Sequence, residues 1–284
     1  MMEKNETQST NSPYLAPLLA GAMAGLSVDL TLYPLDTLKT RLQAEQGFHK
    51  AGGFRGVYRG ILTVASTSMP TTALFFVSYE TTKTLCIPHM PGSYSSLVHM
   101  FAASIGEILA CVIRVPTEIA KQRKQTYVGT KKTSSISILF QAYKTEGFRK
   151  GVYRGFVSTV ARDLPFSFIE MPVWELLKTT LRNHNDGQLS SFQTALCGSA
   201  AGGFAGAVTT PLDLAKTRIM LAPDYAVTRK LRIRPVLEEI YCRGGVRGLF
   251  AGATPRLLAF TLGGFVFFGV YDLTKNLFER NTSR

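Results

Sequence analysis

Three windows of the chain repeat one arrangement: a proline, an acid two residues on, a base three after the acid and an arginine two beyond that. They are Pro34, Asp36, Lys39 and Arg41; Pro116, Glu118, Lys121 and Arg123; and Pro211, Asp213, Lys216 and Arg218. Three copies of one motif mean three copies of one structural unit. Each copy ends a long apolar run, and on a helix residues three apart share a face. Acid and base can therefore pair within their own helix, or three related helices can let each acid reach a neighbour's base and close a ring of three ion pairs. The proline removes one backbone hydrogen bond and kinks its helix, which brings three helix ends toward a common axis.

Two further repeats interleave with the first. A loop after each proline motif ends in Tyr58-Arg59-Gly60, Tyr153-Arg154-Gly155 or Phe250-Ala251-Gly252, and Glu80–Lys83, Glu175–Lys178 and Asp272–Lys275 follow, each behind an aromatic residue. The acid lies 20 residues after the glycine in all three copies, which at about 1.5 Å per residue is roughly 30 Å, one hydrocarbon thickness. Two sets of charged pairs thus sit at opposite ends of membrane-length helices. The expected fold is an all-α membrane protein of six transmembrane helices, arranged as three pseudo-symmetric two-helix repeats: 13–88, 89–186 and 187–284, behind a disordered tail of 1–12. Only 26 residues separate Pro34 from Gly60, against 39 from Pro116 to Gly155 and 41 from Pro211 to Gly252, so the first loop is too short for a full surface helix. Small residues at i, i+4 spacing, such as Gly21 and Gly25 or Gly198, Gly202 and Gly206, allow close helix packing.

Composition agrees. Hydrophobic residues make up 45% of the 284 and mean hydropathy is only +0.09, as expected when each helix keeps a polar stripe toward water. The net charge of +13 is spread over helix ends and loops, which suits an anionic membrane surface; no basic tract with interleaved aromatics points to nucleic acid. The four cysteines form no CxxC pair and the four histidines show no metal spacing, so neither a metal nor a cofactor is expected. No nucleophile with its base and no phosphate loop appears, and an enzyme is disfavoured.

Taken together, these three interleaved repeats resemble the mitochondrial carrier family over about residues 13–278. The resemblance implies a mitochondrial inner-membrane, multi-pass carrier, expected to be monomeric, working by alternating access between two salt-bridge networks. The matrix network would pair Asp36 with Lys121, Glu118 with Lys216 and Asp213 with Lys39, braced by Gln43 and Gln125; Met220 stands at the third brace position. The cytoplasmic network would pair Glu80 with Lys178, Glu175 with Lys275 and Asp272 with Lys83. Tyr58, Arg59, Gly60, Tyr153, Arg154, Gly155 and Gly252 would bind lipid, cardiolipin in particular, with Ala251 lacking the base of that motif.

The family's substrate contacts fall about seven residues past the glycine that starts each even helix, here Thr67 and Ser68, Arg162 and Asp163, and Ala259 and Phe260. Independently of the family, Asp29 lies seven residues before Asp36 and Glu107 eleven before Glu118, each about 20° off its gate acid's face. Asp163, Phe166, Glu170 and Trp174 form one stripe. Ionised groups at membrane depth usually mark a pathway, although Glu107 or Glu170 could instead pair structurally with Arg114, Arg162 or Arg256. Within the family, the runs Leu26–Leu30, Ala103–Glu107, Ile113–Ile119, Arg162–Phe166 and Gly202–Asp213 are similar to those of members carrying S-adenosylmethionine, which implies exchange of cytosolic S-adenosylmethionine for matrix S-adenosylhomocysteine. Arg162 could hold the ligand carboxylate, acids its ammonium and sulfonium, and Phe166 or Phe75 its adenine. A carrier of another cationic amino acid or adenosyl compound would use the same acids, while a membrane scaffold or receptor would need no balanced gates.

Overall fold

A computed structural model describes residues 15–86, 95–127, 134–184, 189–222, 232–264 and 266. They are helical, without strands. The helices are α1 (Leu15–Gln43), α2 (Ile61–Cys86), α3 (Ser95–Thr126), α4 (Ser135–Gly147), α5 (Phe156–His184), α6 (Ser191–Val208), α7 (Thr210–Leu221) and α8 (Ile233–Leu249), followed by α9 over residues 253–264. Of these, α2 and α3 are long and apolar enough to cross a membrane by composition alone. The 29-residue α5 is as long, but its charged residues Arg162, Asp163, Glu170 and Glu175 lower its hydropathy.

The three proline motifs produce different backbones. Pro34 and Pro116 lie inside continuous helices, whereas the third unit breaks into α6 and α7 at Thr209, with φ −88° and ψ 3°. Two adjacent threonines account for the difference. Thr209 Oγ1 donates to the Ala205 carbonyl at 2.8 Å and Thr210 Oγ1 to that of Gly206 at 2.7 Å, hydroxyl-to-carbonyl bonds of the kind that bend a helix, while Pro211 withholds the N–H that the Ala207 carbonyl would accept. The single kinked helix expected there is thus two helices.

The glycines that open the even helices share one conformation, with φ of 97°, 85° and 83° at Gly60, Gly155 and Gly252. This left-handed region excludes most side chains. Space also forbids one: a Cβ on Gly155 would lie 3.0 Å from Met220, and one on Gly252 would lie 3.1 Å from Gln43. Met220 of the third unit thus rests on the glycine of the second, and Gln43 of the first on the glycine of the third, whereas Gly60 faces Tyr33. The first loop, residues 44–60, contains only turns, while α4 and α8 occupy the equivalent stretches of the other two units.

Candidate functional site

At the proline end, α1, α3 and α7 contact one another pairwise and their charges pair between helices. Lys39 Nζ lies 2.7 Å from Asp213, Lys121 Nζ 2.7 Å from Asp36, and Lys216 Nζ 2.7 Å from Glu118. Each base reaches the acid of another unit, and the ring closes. Asp213 and Lys216 are almost fully buried, so neither can lose its partner cheaply: an unpaired buried charge costs about 3–5 kcal/mol.

Amides support the ring unequally. Gln125 Nε2 donates to Asp36 at 3.2 Å and to Thr37 at 3.0 Å. Gln43 Nε2 donates to Asp213 at 3.0 Å, and its carbonyl accepts from Thr217 at 2.7 Å. In the third unit Met220 packs instead with Cys111, Val115 and Ile119, and Glu118 takes its amide from Gln122 on its own helix at 3.0 Å.

Next to the ring lies a second charged cluster. Asp163 is buried and receives Arg162 Nε at 2.9 Å and Arg114 at 3.2 Å, and Arg114 also pairs with Glu107. Arg162 Nε lies 3.5 Å from Asp213 as well, tying this cluster to the ring. Arg256 lies 3.8 Å from Asp213, donates to Thr209 at 3.1 Å, and sits over the stacked rings of Phe166 and Phe260, whose centroids are 5.5 Å apart. Ser68 donates to Asp29 at 3.3 Å. Thr67 spends its hydroxyl on the Thr63 carbonyl at 2.7 Å, and Phe75 stacks on Tyr79. Ala259 is half-buried beside Phe260.

The sequence-predicted residues thus separate into two sets. Glu107 and Asp163 are occupied by arginines in this conformation, Glu107 by Arg114 and Asp163 by Arg114 and Arg162. Glu170, half-buried, has no ion pair or hydrogen bond among the described residues. Arg114 and Arg256, weighed in the sequence only as structural partners, are central to the cluster; neither is a member of a repeated gate motif, so nothing gave a stronger signal. Glu107, Cys111 and Asp163 bring potential metal-ligating atoms within 4.8 Å of one another, but the Arg114 guanidinium already supplies the positive charge a cation would bring.

At the opposite end the expected pairing of Glu80 with Lys178 does not form. Glu80 pairs with Lys83 at 3.3 Å and Glu175 with Lys178 at 2.7 Å, both within one helix. Their carboxylates are well exposed, at 59% and 62%, so an i,i+3 contact along the same helix is the nearest partner while the facing helices stand apart. Asp272 and Lys275 lie outside the described residues.

One lipid-motif residue is also corrected. Arg154 is buried, bound to Glu146 at 2.5 Å and to the carbonyls of Lys150 at 2.8 Å and Ala222 at 2.5 Å, so its guanidinium faces protein and offers nothing to a headgroup. Tyr58 and Arg59 are exposed, with Arg59 donating to the Tyr127 carbonyl at 2.9 Å; the Tyr153 hydroxyl donates to the Val112 carbonyl at 3.1 Å.

The family described as "Mitochondrial carrier protein" matches residues 10–90, 92–185 and 187–282. The chain is 51% identical to the "S-adenosylmethionine mitochondrial carrier protein homolog" of Drosophila melanogaster, over 92% of each chain. It is 49% identical to the "Mitochondrial S-adenosylmethionine carrier protein" of Danio rerio, over 91% of this chain and 96% of the relative, and 47% identical to the Mus musculus protein of that name, over 93% and 95%. A closed ring of inter-unit ion pairs beneath a threefold-repeated helical frame, with matches spanning the chain, makes this protein a member of the mitochondrial carrier family, a multi-pass transport protein of the mitochondrial inner membrane.

Proposed function

We propose that the chain exchanges cytosolic S-adenosylmethionine for matrix S-adenosylhomocysteine by alternating access. The observation that supports this reading is the charge balance between the helices. Among the described residues, Asp29, Asp36, Glu107, Glu118, Asp163, Glu170 and Asp213 are set against Lys39, Lys121, Lys216, Arg114, Arg162 and Arg256. One negative charge remains. S-Adenosylmethionine, with a carboxylate, an ammonium and a sulfonium, carries one net positive charge and neutralises it. The relatives' names point the same way.

Arg162 engages Asp163 and Asp213 only through Nε, leaving its two terminal nitrogens for the bidentate grip on a ligand carboxylate that guanidinium favours. Phe166 and Phe260, stacked under Arg256, form an aromatic face on which adenine stacks. The proline-end ring is the matrix gate, closed here. The in-helix pairs of Glu80 and Glu175 belong to an open cytoplasmic gate, and on inward opening those acids exchange their own helix's lysine for a neighbour's. Phosphate headgroups of cardiolipin bind at the helix starts after Gly60, Gly155 and Gly252, where free N–H groups attract anions. The protein acts as a monomer.

Purified protein in liposomes loaded with S-adenosylhomocysteine takes up labelled S-adenosylmethionine, and ADP or malate compete poorly. If ADP competes as well as unlabelled S-adenosylmethionine does, the substrate assignment is wrong.

A further inference from the structure

We infer that Glu170 is the residue by which the carrier distinguishes S-adenosylmethionine from S-adenosylhomocysteine, its carboxylate facing the sulfonium centre of the charged ligand. The inference rests on the exchange proposed above. The two compounds differ by one methyl group and one positive charge on sulfur, so discrimination between them needs a negative group whose charge is not already spent.

Taking the acids one at a time leaves a single candidate of that kind. Asp36, Glu118 and Asp213 hold the lysines of the ring. Glu107 and Asp163 hold Arg114, and Asp163 also holds Arg162. Asp29 accepts a hydrogen bond from Ser68 at 3.3 Å. Glu170 alone among these has neither a base nor a hydrogen bond among the described residues, although it is half-buried. An ionised carboxylate left without a partner at membrane depth is costly and usually marks a pathway, so its retention calls for a cation that arrives and leaves.

Its neighbours fit that cation. Glu170 Oε1 lies 3.1 Å from where a Cβ on Gly202 would stand, and Phe260 lies 3.1 Å from the same point. The carboxylate therefore occupies room that only a glycine on α6 leaves, beside the ring that stacks on Phe166 at 5.5 Å. Glu170 is four residues after Phe166 and eight after Arg162 on α5, which is about 6 Å and about 12 Å along the helix. A ligand whose adenosyl group lies against the aromatic pair keeps its sulfur, which is joined to the adjoining ribose, close to that pair, and Glu170 stands beside the same Phe260 ring. A sulfonium is soft and weakly hydrated, and takes a carboxylate beside aromatic rings in preference to water.

The test compares apparent KM values for the two compounds in liposomes, for the unaltered protein and for Glu170→Gln, which keeps shape and removes charge. We expect the S-adenosylmethionine KM to rise at least tenfold more than the S-adenosylhomocysteine KM, and thermal stabilisation by S-adenosylmethionine to shrink in parallel. Glu170→Asp, which keeps the charge, should retain most of the preference, and it serves if the Gln variant folds poorly. Equal shifts for both compounds in Glu170→Gln, or a loss of preference in Asp equal to that in Gln, overturn the inference. Failure of the unaltered protein to move either compound overturns the exchange reading instead.

Discussion

Asp163 touches Arg162 at 2.9 Å and Arg114 at 3.2 Å while itself almost fully buried, so a single carboxylate balances two guanidinium charges. Such residue-level detail also governs how tightly the ring closes. Two of its three acids receive an amide from the neighbouring unit's brace position, but Met220 fills that position in the third with apolar contacts. Met220→Gln has nearly the right length to restore the missing donor to Glu118. One added hydrogen bond to a charged group contributes about 1.5–3 kcal/mol. The variant should therefore unfold at a higher temperature and, with the ring breaking in every cycle of the proposed alternating access, transport at least several-fold more slowly. Unchanged melting together with an unchanged rate would show that the ring's strength does not limit the cycle.

At the scale of the element, the arginine that ends the proline motif is held differently in the second unit and in the first. Arg123 pairs with Glu146 of α4 at 2.8 Å. The residues equivalent to Glu146 are Gly52 and Gly244, so the other two units lack that acid. Arg41, buried, instead donates to the carbonyls of Gly53 at 2.6 Å, Arg55 at 2.7 Å and Gln125 at 2.9 Å, tying the short first loop down where α4 and α8 do so elsewhere. A Cβ on Gly52 would stand 3.2 Å from Arg41 Cζ, so the glycine makes that placement possible. The ring itself joins elements pair by pair, and Asp36 with Lys121 joins α1 to α3. Either Asp36→Lys or Lys121→Asp alone should abolish most transport, whereas the double swap should regain a substantial part, since attraction within the pair survives reversal. The comparison is made at equal folded protein, because each single variant leaves a charge unpaired. A folded, substrate-binding double variant as inactive as the singles would mean that this contact is not the one transport breaks.

At the scale of the molecule, charges are paired between units at one end and, among the described residues, within helices at the other. A carrier that alternates must reverse this asymmetry, and swinging a population from 1:99 to 99:1 takes about 5.5 kcal/mol of differential binding. Neither ring can exceed what the substrate supplies. Cysteines placed together at Glu80 and Lys178, in a background without Cys86, Cys111, Cys197 and Cys242, should stay reduced in the conformation described here. They should cross-link under oxidation while substrate is being exchanged, and the cross-linked protein should stop transporting until reduced. Equal cross-linking with and without substrate would argue against closure at that end.

The repeated Pro-x-acid-x-x-base pattern was enough, from sequence alone, to give an all-helical chain of three related units with two charged layers a membrane apart. Periodicity does this because spacing along a helix fixes which residues share a face and how far apart they lie. The same periodicity placed Asp29, Glu107, Asp163 and Glu170 on inward faces. It could not say which of them meets an arginine, since that depends on distances between helices far apart in the chain: Asp163 and Arg114 are 49 residues apart, and Gln43 and Asp213 are 170. Nor could it say that Glu80 would take Lys83 in place of Lys178, because both partners satisfy the same charge pattern and the separation of the helices selects between them. Arg154 looked like a lipid ligand by motif and is consumed by Glu146, which only the folding of α4 brings near. The two adjacent threonines before Pro211 were legible as residues, but the break at Thr209 follows from two hydroxyls finding carbonyls one turn back, and that competition is settled in three dimensions.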